Sequence, residues 1–106
     1  MDDLPEIDVD AAIAAVEKGA VLVDVREQHE WDSGHAPSAI LLPLSEIGNR
    51  LDDVPEGEIL VICHSGMRSA RVTAALLELG HEAVNVAGGM VAWQAAGGPV
   101  VTADAR

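Results

Sequence analysis

The residues best suited to chemistry lie in one stretch, ILVICHSGMRSARVTAALLELG, running from Ile59 to Gly80 and holding the chain's single cysteine, Cys63. Four successive apolar residues, Ile59 to Ile62, predict a strand buried on both faces, and His64-Ser65-Gly66 breaks it. Val72, Ala75, Leu76 and Leu79 then repeat at helical spacing up to Gly80, a left-handed stop, which predicts a helix beginning near Ser69. Cys63 to Arg68 would form a six-residue loop whose backbone amides curl over the helix's amino end and make a small anion cradle, with His64, Ser65, Gly66, Met67, Arg68 and Ser69 around it. A thiol there is favoured as thiolate by the helix terminus and a nearby guanidinium, and can act as a nucleophile. Arg68 and Arg71 oppose the helix dipole and suit an anionic ligand better than they suit stability. No acidic residue occurs from Leu60 to Leu77, in a chain whose formal net charge is -12, so a locally positive mouth on a negative body would select small anions. The plainer alternative is a buried free cysteine followed by two solvated arginines.

Around this stretch the chain reads as alternating strands and helices. Asp8 caps a predicted helix from Val9 to about Lys18, stopped by Gly19. Ala20 to Val23 is a buried strand ending at Asp24-Val25-Arg26, another carboxyl edge of the kind where ligand sites collect in parallel sheets. By residue type alone, Asp24 and Arg26 would make an exposed ion pair of small worth. Glu27 to Ser33 forms a short helix with Trp31 turned to the core, and His35 is a hydrogen-bonded structural residue in the turn before a short strand, Ala39 to Leu42. Ser45 caps a helix to about Leu51, Ala83 to Val86 is a further strand, and Gly88-Gly89 opens a last helix containing Met90, Val91 and Trp93. The expected architecture is α/β, three layers, with a largely parallel central sheet flanked by helices. Residues 97–106 are expected to be a loosely held tail.

Composition narrows the function classes. The 106 residues suit one domain, and 49% hydrophobic with 23% charged residues is the balance of a soluble globular protein whose core, at 2% aromatic, must be aliphatic. Six Lys plus Arg against eighteen Asp plus Glu argues against a nucleic-acid partner. The acidic start, the lack of a long apolar run and the lone cysteine predict a cytoplasmic protein with no membrane association and no internal disulfide. His29, His35, His64 and His81 lack the pairing and thiolate partners of a zinc site, so no metal is expected.

Three segments together carry a family likeness: DVREQHEWDSGHAPSAI from Asp24 to Ile40, VICHSGMRS from Val61 to Ser69, and GGMVAWQAAG from Gly88 to Gly97. In order and spacing the chain resembles a single rhodanese-homology domain over nearly its whole length, departing from the familiar pattern at Ser38 and Leu42, where Gly and Asn are usual. The resemblance implies a sulfurtransferase whose catalytic cysteine, Cys63, becomes a persulfide, with Asp24 and Arg26 bracing the active-site region. It implies a small anionic sulfur donor such as thiosulfate, a thiol or cyanide as acceptor or a specific protein acceptor, and no cofactor. The six-residue loop resembles that of sulfurtransferases. Cysteine-dependent phosphatases and arsenate reductases of the same fold carry a loop one residue longer, and remain the alternative on the same thiolate.

Overall fold

The computed structural model describes residues 4–102. Five strands, β1 (Glu6–Ile7), β2 (Val21–Asp24), β3 (Ile40–Leu41), β4 (Glu58–Ile62) and β5 (Glu82–Val86), form one sheet in the order β1-β5-β4-β2-β3, with every pairing parallel. The helices are α1 (Val9–Glu17), α2 (Gln28–Ser33), α3 (Leu44–Ile47), α4 (Met67–Glu78) and α5 (Gly89–Ala95), with a 3₁₀ turn at Leu51–Asp53.

Strand β4 lies at the centre and is buried on both faces from Ile59 to Ile62. Ile59, Val61 and Cys63 project into one apolar cluster, with Val72 and Leu76 of α4 and Ile47 of α3. Leu60 and Ile62 project into a second, with Ala12 of α1 and Met90 and Trp93 of α5. The period of two along the strand therefore sorts the core into two layers, one on each side of the sheet, and each buried aliphatic side chain contributes about 2 kcal/mol. The chain enters β4 from the β3 edge and leaves it toward β5 on the other side. That reversal opens a crevice at the carboxyl end of β4, directly in front of Cys63.

Several expectations shift. α4 starts at Met67, two residues before the predicted start, because Gly66 takes a left-handed conformation (φ 101°) and turns the chain into the helix at once. Ser45 does not cap α3. Pro43 is its N-cap, α3 ends at Ile47, and the Ser45 hydroxyl donates instead to Glu27 Oε1 at 2.6 Å. β1, only two residues long, carries no period of its own and is defined by its parallel pairing with β5. Trp31 is half-buried rather than core: its ring stacks on His35 with centroids 3.6 Å apart, while Trp31 O lies 2.9 Å from His35 Nδ1.

The expectation of a loose tail over 97–106 fails for its first five residues, and 103–106 lie outside the described residues. Gly98 N–H donates to Trp93 O, the Trp93 indole N–H donates to Pro99 O at 2.9 Å, and Val101 pairs with His35 through both backbone hydrogen bonds at 2.8 Å. A buried indole needs an acceptor, and the chain beyond α5 supplies it. Among the described residues no helix is long and apolar enough to cross a membrane.

Candidate active site

Cys63 follows β4 directly and is almost wholly buried. Its Sγ accepts the Gly66 amide at 3.1 Å and lies 3.3 Å from Ser69 Oγ. The amides around the sulfur, of Gly66, Arg68 and Ser69, belong to the last loop residue and the first helical turn, the donors that an α-helix leaves without internal partners. Burial is the largest single influence on the thiol and pushes its pKa up. The Ser69 hydroxyl and the amides of Ser69, Gly66 and Arg68 together outweigh it, so the thiol titrates below its ordinary value. The hydroxyl's share holds only while its one proton faces the sulfur.

The entry to the loop is fixed from α5. Met90 N–H donates to Cys63 O at 2.8 Å and Val91 N–H to His64 O at 3.0 Å, so the carbonyls are turned outward and the following amides inward. Gly89 is the residue that permits this: at φ 56° its Cα lies so close that a Cβ would overlap the Cys63 and His64 carbonyls. Gly66 is similarly confined, with a Cβ there reaching 3.1 Å from Gly88 N.

The other expected residues separate into groups. Gly66 and Ser69 are buried at the sulfur, whereas His64, Ser65 and Met67 are exposed at the mouth, Met67 with 76% of its surface accessible. Arg68 does not project as a free cation. Its Nη1 and Nη2 donate to Glu30 Oε1 and Oε2, both at 2.7 Å, a two-pronged ion pair across the mouth. Arg71 is exposed and lies away from the cradle, beside a separate apolar depression with Leu44, Ile47 and Leu79. A step of two residues along the helix, roughly 200°, carries residue 71 to the face opposite Ser69.

Asp24 and Arg26 are not the exposed pair their residue types suggested. Both are buried, with Arg26 Nη2 2.7 Å from Asp24 Oδ2. Arg26 also donates to Gly34 O at 2.8 Å and to Glu30 O at 3.3 Å, which ties α2 to the end of β2. Through α2, the buried pair positions the Glu30 carboxylate that holds Arg68.

Glu30 was not singled out in the sequence, and neither was Asn85. Glu30 accepts the Glu27 amide at 3.0 Å as part of a capping box, so one carboxylate ends a helix and clamps Arg68. Its acid-glutamate-three-residues-on spacing was the available signal. The Arg68 hydrogen bonds, set against a smaller opposing effect of burial and helped by the Glu27 amide, hold its pKa down at about 2. A depressed carboxylate pKa stabilises the fold above the unfolded-state value near 4.5, and that stabilisation is lost as pH falls toward about 2. The wild-type urea midpoint should therefore exceed that of Glu30→Gln by an amount equivalent to roughly 2 kcal/mol at neutral pH, and the two should converge by pH ~2. A gap that persists unchanged into acid would assign the effect to packing.

Beside the loop, Arg26, His29, Glu30, His64, Met90 and Gln94 line an open cleft of about 350 Å³. Among the described residues no group of three or more His, Cys, Asp or Glu side chains could hold a metal ion.

The family model for the rhodanese-like domain matches residues 8–96, which includes the whole sheet from β2 onward, the cysteine loop and α5. The chain belongs to the rhodanese-like domain family. This rhodanese-like domain is 40% identical over 74 residues to the putative sulfurtransferase YtwF of Bacillus subtilis, covering 69% of this chain and 72% of that protein. It is 34% identical over 88 residues to the thiosulfate sulfurtransferase GlpE of Actinobacillus pleuropneumoniae, covering 81% and 82%. The crystal structure of a rhodanese-related protein from Thermoplasma volcanium superposes with a TM-score of 0.84 at 33% identity, over 92% of this chain and 97% of that one. The rhodanese-like domain thus has sulfurtransferase-named relatives along most of its length, with the Cys63 loop inside the matched region.

Proposed function

We propose that this protein is a sulfurtransferase that carries a sulfane sulfur as a persulfide on Cys63, with thiosulfate as a competent donor. The observation that carries the reading is the position of the sulfur: a single buried cysteine at the end of the central strand, with the Gly66 amide donated to it at 3.1 Å and the free amides of the first turn of α4 around it. Such a cradle is matched to a monoatomic sulfur anion held on the protein.

The reaction proceeds in two displacements. The Cys63 thiolate attacks the outer sulfur of thiosulfate, forming a sulfur–sulfur bond while the bond to the sulfonate sulfur breaks and sulfite leaves with its electron pair. The negative charge then resides on the terminal sulfur of the persulfide, where the loop amides stabilise it. A thiolate or cyanide attacks that terminal sulfur, takes it, and returns Cys63 as thiolate. Charge and electrons balance at both steps, so no cofactor is used. The cleft lined by His29, His64 and Gln94 is the approach for donor and acceptor, and a protein carrying an acceptor thiol can present it there. A persistent free thiol suits a reducing, cytoplasmic setting.

Arg68 serves the donor's charge. Its ion pair with Glu30 holds the guanidinium at the mouth, and a doubly charged anion competes for the remaining N–H groups. Arg68→Ala should lower kcat/KM for thiosulfate by about ten- to a hundredfold, chiefly through KM, with a smaller effect on a singly charged alkyl persulfide donor. Equal losses on both donors would remove Arg68 from anion recognition.

The proposal as a whole is tested by intact-mass spectrometry of reduced protein after incubation with thiosulfate. A gain of one sulfur atom, removed by cyanide, is the expected result. No gain from a thiol that still reacts with an alkylating agent would overturn thiosulfate as donor.

A further inference from the structure

Behind the cysteine lies a polar group that the reaction above does not use. Asn85, on β5, is almost fully buried, and its Oδ1 lies 2.6 Å from Ser69 Oγ. Its Nδ2 lies 3.1 Å from Glu6 Oε2 and 3.3 Å from the carbonyl oxygen of Gly66. A carboxylate and a carbonyl can only accept, so the amide nitrogen must face them and Oδ1 must face the serine. A separation of 2.6 Å between two oxygens requires a proton between them. Asn85 Oδ1 has none, so the proton is that of Ser69.

Ser69 has one hydroxyl proton and two neighbours that could take it, Asn85 Oδ1 at 2.6 Å and Cys63 Sγ at 3.3 Å. With the proton committed to the shorter contact, the hydroxyl presents a lone pair to the sulfur. We propose that Asn85 is a positioning residue that turns the Ser69 hydroxyl away from Cys63, so that backbone amides alone support the sulfur anion and the neutral thiol donates its S–H to Ser69 Oγ. The chemical value lies in nucleophilicity. Each donor on a thiolate makes it easier to form and weaker in attack, with a Brønsted slope of roughly 0.4–0.5. Withholding one donor keeps the sulfur reactive.

The charged and titratable groups near the sulfur are Arg68 with Glu30 across the mouth, the Asp24–Arg26 pair at the end of β2, His64 next in the chain, and Glu6 on β1 behind Asn85. None of them shares the Ser69 proton. Asn85 ties β1 and β5 to the first turn of α4 at the one atom pair where a hydroxyl direction is decided.

The test is the pH dependence of iodoacetamide alkylation of reduced protein, which reads the thiol without any sulfur donor, so its outcome is independent of whether thiosulfate is the donor; the inference rests on the proposed function only for its catalytic meaning. Asn85→Leu, of similar volume and without an acceptor, frees the hydroxyl to donate to sulfur and should move the profile down by about one pH unit. With the slope above, alkylation below the pKa should rise about threefold and the high-pH plateau should fall about threefold. Ser69→Ala alone, which removes only the acceptor of the weak S–H donor, should leave the midpoint unchanged or lower it by about 0.3 unit, and added to Asn85→Leu it should abolish the larger shift of the leucine variant. Should the leucine variant fail to fold, Ser69→Ala decides the matter by itself. A rise of about one unit or more in Ser69→Ala would show that the hydroxyl already donates to sulfur, and would overturn the proposal, as would a folded Asn85→Leu with no downward shift.

Discussion

Cys63→Ser should show no gain of sulfur from thiosulfate by intact mass, and transfer to cyanide should fall by more than about three orders of magnitude. Serine is nearly isosteric, and the site is set by backbone contacts that the substitution leaves in place: Met90 N–H on the residue-63 carbonyl and the Gly66 amide over the side chain. The fold should therefore persist, and thermal unfolding within a few degrees of wild type would confirm that chemistry alone was lost. The physical reason is ionisation. The cradle can favour a thiolate whose ordinary pKa is about 8.5, but no arrangement of three amides brings an aliphatic hydroxyl into range, and oxygen forms no stable analogue of the persulfide. Sulfur transfer that survived in the serine variant would place the persulfide elsewhere, and since the sequence holds one cysteine it would end the mechanism proposed for this chain.

Arg26→Met should destabilise the protein by about 3–5 kcal/mol in urea unfolding, the largest expected effect on stability of any single change around the site. Asp24 is fully buried, and Arg26 is its cation through contacts at 2.7, 3.0 and 3.1 Å. Removal of the guanidinium leaves the carboxylate in the interior with the Arg26 backbone amide, at 3.0 Å, as its remaining donor among those contacts. It also releases the carbonyls of Glu30 and Gly34, so α2 loses its anchor to β2. The loss should extend to function through Glu30, with KM for thiosulfate altered even under conditions where the variant is folded. The companion variant Asp24→Asn/Arg26→Met, which removes the stranded charge, should recover more than half of the lost stability. If the double change were no better than the single, the cost would lie in the helix anchor and not in the unpaired carboxylate.

The same pair illustrates what residue types can and cannot say. Asp24 and Arg26 are two apart at the end of a strand, a spacing equally consistent with a solvated pair and with a buried brace. Burial depends on α2 folding back over the strand end, and that depends on the Gly34 carbonyl and the chain beyond α5, where Val101 pairs with His35. The segment 97–101, Gly-Gly-Pro-Val-Val, carries no helical or strand period; its order comes from backbone partners supplied by α5 and by His35.

Periodicity determined the most. An unbroken apolar run followed by a helical repeat placed Cys63 at a strand end before a helix, and strands alternating with helices implied a parallel sheet in three layers. These follow from local rules, since a strand or helix face is legible wherever its own residues must be buried. Three motif segments in order then carried the family. What the tertiary structure decided was the direction of individual polar groups: Arg68 held by Glu30 from α2, Arg71 turned out of the site, the Cys63 carbonyl fixed by α5, and the Ser69 proton contested by Asn85 from β5. Each depends on atoms brought together from separate strands and helices at hydrogen-bond range. Hydrogen bonds are directional and fall away within an ångström, whereas the hydrophobic pattern that builds the fold is neither. The scaffold of this protein is therefore written in its sequence pattern, and the chemistry of its sulfur is settled by contacts that exist only once the chain has folded.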